Sequence, residues 1–177
     1  MKVLYELKDK QFPYEGITHT RQIVRAVVIN SKNQIAFVKL HGHDELGDRN
    51  YYELPGGGKE YFDDTLEDAL EREMEEEIGY TIKDIVPLGR VIDYYNALKR
   101  RNDNHYYLAY ASMDVEWHLT AMENVLFEKI VWVNIDKAYQ VFASSKDSPL
   151  SRLVKNRELP IIALAIEKHK EKEARKE

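Results

Sequence analysis

The residues with most chemical potential lie between Asp63 and Glu77. This stretch holds nine carboxylates and one base, Arg72, a net −8 in fifteen residues of a chain whose total is −5. Leu66, Ala69, Leu70, Met74 and Ile78 recur at helical spacing, which predicts a helix over about Thr65 to Ile78 with one buried stripe. Asp63, Asp64 and Thr65 are the N-cap candidates, and Gly79 stands where a helix-ending glycine belongs. Glu73, Glu76 and Glu77 share one face at i, i+3 and i+4. Acids at that end oppose the helix dipole, and Glu73 is a like-charge neighbour of both others. A bound divalent cation reverses the sign of these energetics. Oxygen-only ligands select a hard cation, Mg²⁺ first and Mn²⁺ second. A solvated acidic face is the plain alternative. The crowding of acids at the helix end, beside the turn Pro55-Gly56-Gly57-Gly58, favours the metal. Glycines there let backbone approach metal and phosphates without a Cβ.

Arg72-Glu73-Met74-Glu75-Glu76-Glu77-Ile78-Gly79 resembles the second half of the Nudix hydrolase signature, G-x5-E-x7-R-E-U-x-E-E-x-G-U, and Leu54-Pro55-Gly56-Gly57 with Glu60 resembles its lead-in. Strict spacing back from Arg72 makes Gly58 the signature glycine and Asp64 the first acid. Counting forward from Pro55 makes them Gly57 and Asp63, with one extra residue before the helix. Either way the first acid is an Asp where the family has Glu, and Tyr80 ends the motif.

The resemblance implies an α/β/α sandwich with a mixed sheet and a C-terminal helix. It implies hydrolysis of a nucleoside diphosphate linked to another group: an NTP, a dinucleoside polyphosphate or a nucleotide sugar. The metal would be held by Glu73, Glu76, Glu77 and the carbonyl of Gly57 or Gly58, with Arg72 orienting the acids. Glu73 or Glu77 is the expected base, and a later acid, Glu123 or Glu128, is a further candidate. Tyr95, sixteen residues past Gly79, leans away from the ADP-ribose branch, which has Pro there. The partner implied is a small nucleotide, and homodimers are common in the family. A catalytically weak nucleotide sensor is the alternative, resting on the shortened acid. A calcium-binding structural protein ranks last, because the acids lack EF-hand spacing.

Composition sets the outer bounds. With 177 residues, 44% hydrophobic and 32% charged, the chain suits one domain over 1–177. The absence of Cys excludes disulfides, thiolate metal sites and a Cys nucleophile. No basic excess supports nucleic-acid binding, and no run is long enough for a membrane span. A charged N-terminus is unlike a signal peptide, and a cytoplasmic protein is expected.

Strands are expected at Gln22–Ile29 and Gln34–Leu40, both covered on two faces, around a turn at Asn30–Asn33. Residues 1–20 form an N-terminal extension or strand. A short strand, Tyr51–Leu54, leads to the glycines. Ile82–Tyr95 holds a strand with Pro87 at an edge or bulge. Lys99–Asn104 reads as a basic turn before a strand at His105–Met113. Trp117–Phe127 reads as a loop and Lys129–Val133 as a strand. Over 148–177 the chain is helical, with Ser148 as N-cap, a second helix starting at Pro160 and a frayed tail from His169. Tyr52, Tyr95, Arg100 and Arg101 are the candidate substrate contacts.

Overall fold

The structure, a computed structural model, describes residues 1–115 and 127–175. Among these, the strands are β1 (Val3–Leu7), β2 (His19–Ile29), β3 (Gln34–Leu40), β4 (His43–Asp44), β5 (Gly47–Asp48), β6 (Tyr52–Glu53), β7 (Gly56–Gly58), β8 (Tyr80–Tyr95), β9 (Arg100–Asp114) and β10 (Phe127–Asn134). The α-helices are α1 (Leu66–Ile78), α2 (Ile135–Ala143) and α3 (Pro149–Ala174). The main sheet runs β1-β8-β9-β2-β3-β10, with β6 on β3 and β7 on β2. It is mixed: β1 with β8 and β2 with β9 are parallel, the other pairs antiparallel. None of the described helices is long and apolar enough to cross a membrane.

Period-2 alternation on β2 builds two cores. Val24, Ala26 and Val28 face α1 and meet Ala69, Leu70, Met74 and Ile78. Val27 and Ile29 face the other way, onto Phe142 of α2 and Val154, Ile161 and Ala165 of α3. The sheet therefore lies between α1 and the α2–α3 pair, the sandwich that the resemblance implied. β2 pairs with β3 only at Ile29–Ile35, because β7 takes that edge along Ile23–Arg25.

Three expectations are corrected, and one helix is added. Arg100 opens β9, so the basic segment is strand, and the turn before it is the 3₁₀ segment Asn96–Leu98. Helix α2 was not anticipated; Asn134 caps it by accepting from the Asp136 N–H at 3.0 Å. Pro160 starts no second helix but lies inside α3. Proline removes an N–H and disturbs the preceding turn. The carbonyl that loses its helical donor is that of Asn156. In the same turn the next carbonyl, that of Arg157, accepts from the Tyr5 hydroxyl at 2.7 Å. The tail does not fray at His169, which is buried between Tyr110 and Asn33, each 3.1 Å from its ring. Ser148 and Pro149 start α3 as expected, with a capping box to Ser151. Register shifts bracket Pro87, as expected of a bulge.

A buried charge network fixes the lead-in to β7. Glu158 is fully buried and accepts from the Leu54 N–H at 2.7 Å and Arg157 Nη2 at 2.9 Å. Arg25 donates to the Leu54 carbonyl at 2.7 Å and pairs with Glu53 at 3.4 Å and Glu158 at 3.5 Å. Burial pushes the Glu158 carboxyl up, against the opposing pull of Arg157 and Arg25. Removing one member of such a network leaves buried charges uncompensated. Glu158→Ala is expected to lower the unfolding free energy by about 3–5 kcal/mol. The exposed Glu171→Ala is expected to change it by less than about 0.5 kcal/mol. Urea denaturation of both variants checks the contrast.

Candidate active site

Helix α1 carries the carboxylates, and its ends are set by sequence. Thr65 caps it in a capping box with Asp68, so neither Asp63 nor Asp64 is the cap. Gly79 ends it in the left-handed conformation at φ 68°. Its apolar stripe holds one face on the sheet, and Glu73 is buried on the same side.

Arg72 organises the acids with all five of its N–H donors. Nε and Nη2 grip the two oxygens of Asp63 at 3.0 and 2.9 Å. Nη1 donates to Glu73 and to Glu76, both at 2.9 Å, and Nη2 also reaches the Gly58 carbonyl at 3.0 Å. Asp63 is buried and accepts further from the Glu60 N–H at 2.7 Å, while Asp64 is exposed. Between the two registers, contact with Arg72 selects Asp63, and Gly57 becomes the signature glycine. The shorter acid still makes a bidentate pair, which removes the one feature that favoured a weak sensor.

β7 packs against these carboxylates at backbone distance. A Cβ added at Gly57 would lie 2.5 Å from both Glu73 oxygens. At Gly56, φ is +137° and a Cβ would lie 2.0 Å from the Val24 carbonyl oxygen. The Gly56 N–H donates to Glu77 at 2.7 Å. Bonds from Ala26 N–H to the Pro55 carbonyl and from Lys59 N–H to the Gln22 carbonyl bracket the Val24–Gly57 pair. Antiparallel alternation therefore engages Gly57's polar groups in the ladder and turns the Gly58 carbonyl toward α1, where Arg72 takes it. Glu77 keeps some residue exposure, yet its carboxyl is enclosed. Desolvation first, and then the charge of Glu73, raise it well above the usual carboxylate range.

The donor set fits a hard divalent cation in type, because it consists of carboxylate and carbonyl oxygens around a desolvated acid pair. Among the described residues no three acids already converge as a metal cage. Arg72 draws Glu73 and Glu76 toward its own Nη1, and a cation at this place shares those carboxylates with it.

The other candidates separate. Tyr95 and Arg100 line a cavity of about 80 Å³ with Arg25, Tyr51, Glu53 and Arg157, on the α3 side of the sheet. Arg101 alternates to the opposite face of β9. Tyr52 packs on Phe37 at 6.0 Å instead of lining that cavity. Glu128 lies on β10, paired with Lys39 and Lys129. Glu123 and the loop expected at Trp117–Phe127 lie outside the described residues, except Phe127 in β10. Arg21, Arg25, Glu53 and Glu158 were not singled out from sequence. Arginines alternating with Ile23 and Val27 on an apolar strand were the available signal.

Two outcomes follow for Asp63. Asp63→Asn is expected to cost about 1.5–3 kcal/mol, as loss of a charged hydrogen-bond pair. Asp64→Asn is expected to cost less than about 0.5 kcal/mol. Arg72 holds the Asp63 carboxyl below its ordinary value. The stability this provides is therefore present above the unfolded Asp pKa, about 3.9, and is lost as pH falls through the folded value. Acid denaturation of the wild type should show this component, and Asp63→Asn should lack it.

A family model for the NUDIX domain matches residues 19–153. No curated protein matches the chain. Among solved structures, the chain is similar to a MutT NUDIX hydrolase from Burkholderia pseudomallei, with TM-score 0.54 and 22% identity over 78% of this chain and 98% of that one. It is similar also to a NUDIX hydrolase from Nitrosomonas europaea, with TM-score 0.58 and 17% identity over 78% and 87%. A UDP-X diphosphatase aligns with TM-score 0.57 and 17% identity over 90% and 68%. At these identities the structures establish the fold, and the family model, which spans most of the chain, establishes the membership. The chain belongs to the NUDIX hydrolase family.

Proposed function

We propose that this chain hydrolyses the diphosphate linkage of a nucleoside diphosphate joined to a second group, with Mg²⁺, or Mn²⁺ in its place, held by Glu73, Glu76 and Glu77. The observation that carries this reading is the enclosed Glu73–Glu77 pair against the glycine strand. Arg72 offsets part of the Glu73 charge and the Gly56 N–H part of the Glu77 charge. A divalent cation would relieve the repulsion that remains between the two carboxylates. The similarity to a UDP-X diphosphatase points to the same substrate class.

When bound, the cation supplies charge neutralisation for the diphosphate and lowers the pKa of a water. The chain supplies the rest. Arg72 and the Gly56 N–H hold the three acids in place. Gly57 leaves room at the Glu73 carboxylate that any other residue would fill. Water adds to a phosphorus atom, the anhydride P–O bond breaks, and the phosphate departs with the electron pair of that bond. The proton of the attacking water passes to Glu73 or Glu77 and then to solvent. Positioning and electrostatics dominate such a step.

Incubation with Mg²⁺ and a pool of nucleoside triphosphates, dinucleoside polyphosphates and nucleotide sugars, read by mass spectrometry, tests the proposal. Cleavage is expected to require the cation. Glu77→Gln is expected to lower kcat by at least about 100-fold, the lower range for loss of a group in proton transfer. Full turnover in Glu77→Gln, or in the presence of excess EDTA, would contradict the mechanism.

A further inference from the structure

Arg100 opens β9 and lines the cavity on the α3 side of the sheet. Of the cavity-lining guanidiniums, Arg25 and Arg157 are engaged by Glu53, Glu158 and Asp93. The Asp93 carboxylate is divided between Asn104 at 2.6 Å and Arg157 at 3.3 Å. Arg100 lies over the Tyr95 ring at 6.0 Å, and its buried Nε has no hydrogen-bond partner among the described residues. The Oδ1 of Asn102, a residue 1% exposed, likewise has no partner among the described residues, while the Tyr95 hydroxyl faces Arg49. In the parallel register of β2 with β9, His19 pairs with Arg100 and Arg21 with Asn102, so Arg21 and Arg100 are diagonal neighbours on one face of the sheet. Burial and the charge of Arg21 both lower the Arg100 pKa.

Arg21 lies beside the cavity lining, two residues before Ile23 on β2, and against β7. A Cβ on Gly58 would lie 2.2 Å from the Arg21 guanidinium, just as one on Gly57 would meet Glu73 on the other face. β7 is therefore a glycine partition with acids on one side and arginine on the other. The ion pair of Arg21 with Glu60, 3.3 Å and half exposed, is of the weak surface kind that an anion displaces. The cavity of about 80 Å³ has room for a phosphoryl group.

We propose that Arg21 and Arg100 form an anion subsite for a phosphate beyond the diphosphate that is cleaved, so that the chain selects nucleoside polyphosphates over nucleotide sugars. This rests on the hydrolase reading above for its biological meaning, though not for its binding chemistry. Asp93, shared with Arg157 and Asn104, is the carboxylate acting on Arg100 in this cavity. A neutral sugar adds no charge to it, whereas a phosphate supplies charge and acceptors together.

Two measurements test it on the full chain. The first is the ratio of kcat/KM for a nucleoside triphosphate to that for a nucleoside diphosphate sugar, with Mg²⁺. The ratio is expected to exceed one in the wild type and to fall about 10- to 100-fold in Arg100→Gln, mainly through KM, the range for one charged hydrogen bond. A wild-type preference for the sugar, or an unchanged ratio in the variant, would overturn the proposal. The second is calorimetric binding of inorganic tripolyphosphate without divalent cation. Binding is expected to weaken at least about 10-fold in Arg100→Gln and in the half-exposed Arg21→Gln, with Arg100→Lys between. Equal binding by the wild type and both Gln variants would overturn the subsite whatever the turnover. Arg-dependent binding without cleavage of any nucleotide would refute the hydrolase reading and leave the subsite standing.

Discussion

The guanidinium of Arg72 is the contact on which the site's geometry depends. It faces an arrangement that is unfavourable without it, with Asp63 and Glu73 buried and Glu76 one turn along the helix. Each N–H has an acceptor, so the planar fork fixes those acceptors relative to one another. A lysine in its place would be one point charge with three donors and could not bridge the loop, the helix and the glycine strand together. Because Asp63 lies before α1 and Gly58 lies on β7, the same side chain also sets the distance between helix and sheet edge.

A second constraint acts from beneath. The chain entering β7 is held at successive residues: Leu54 by Glu158 and Arg25, Pro55 by the Ala26 N–H, and Gly56 by Glu77. The anchors on the α3 side are buried charges that cost desolvation and are held only through mutual pairing. Such a network fixes one arrangement of the lead-in. The glycine strand can then tolerate contacts on both faces without a side chain to define its position. Close approach of backbone to Glu73 on one side and to Arg21 on the other follows from that anchoring.

Much of this was legible in the residues, and the misses have physical causes. The α1 stripe and its glycine stop are local signals, and they located the helix and its acids. Spacing alone left Asp63 and Asp64 equivalent, because only the three-dimensional reach of Arg72 distinguishes them. Arg100 read as turn because charged runs usually lie at hairpin tips, whereas here parallel pairing with β2 from His19 onward draws the run into the sheet. Pro160 read as a helix start because its local preference is strong. Tertiary packing of Val154, Ile161 and Ala165 overrides it. The Arg157–Glu158 pair was silent in sequence, since a charged dipeptide in a helix usually faces water.

The central claim is that the α1 carboxylates bind a divalent cation in competition with Arg72. Titration of Mn²⁺ into the protein, followed by electron paramagnetic resonance, tests it without any substrate. Saturable binding that is weakened in Glu73→Gln, and displaced by Mg²⁺, is the predicted result. Absence of saturable binding in the wild type, or binding indifferent to Glu73→Gln, would contradict the account.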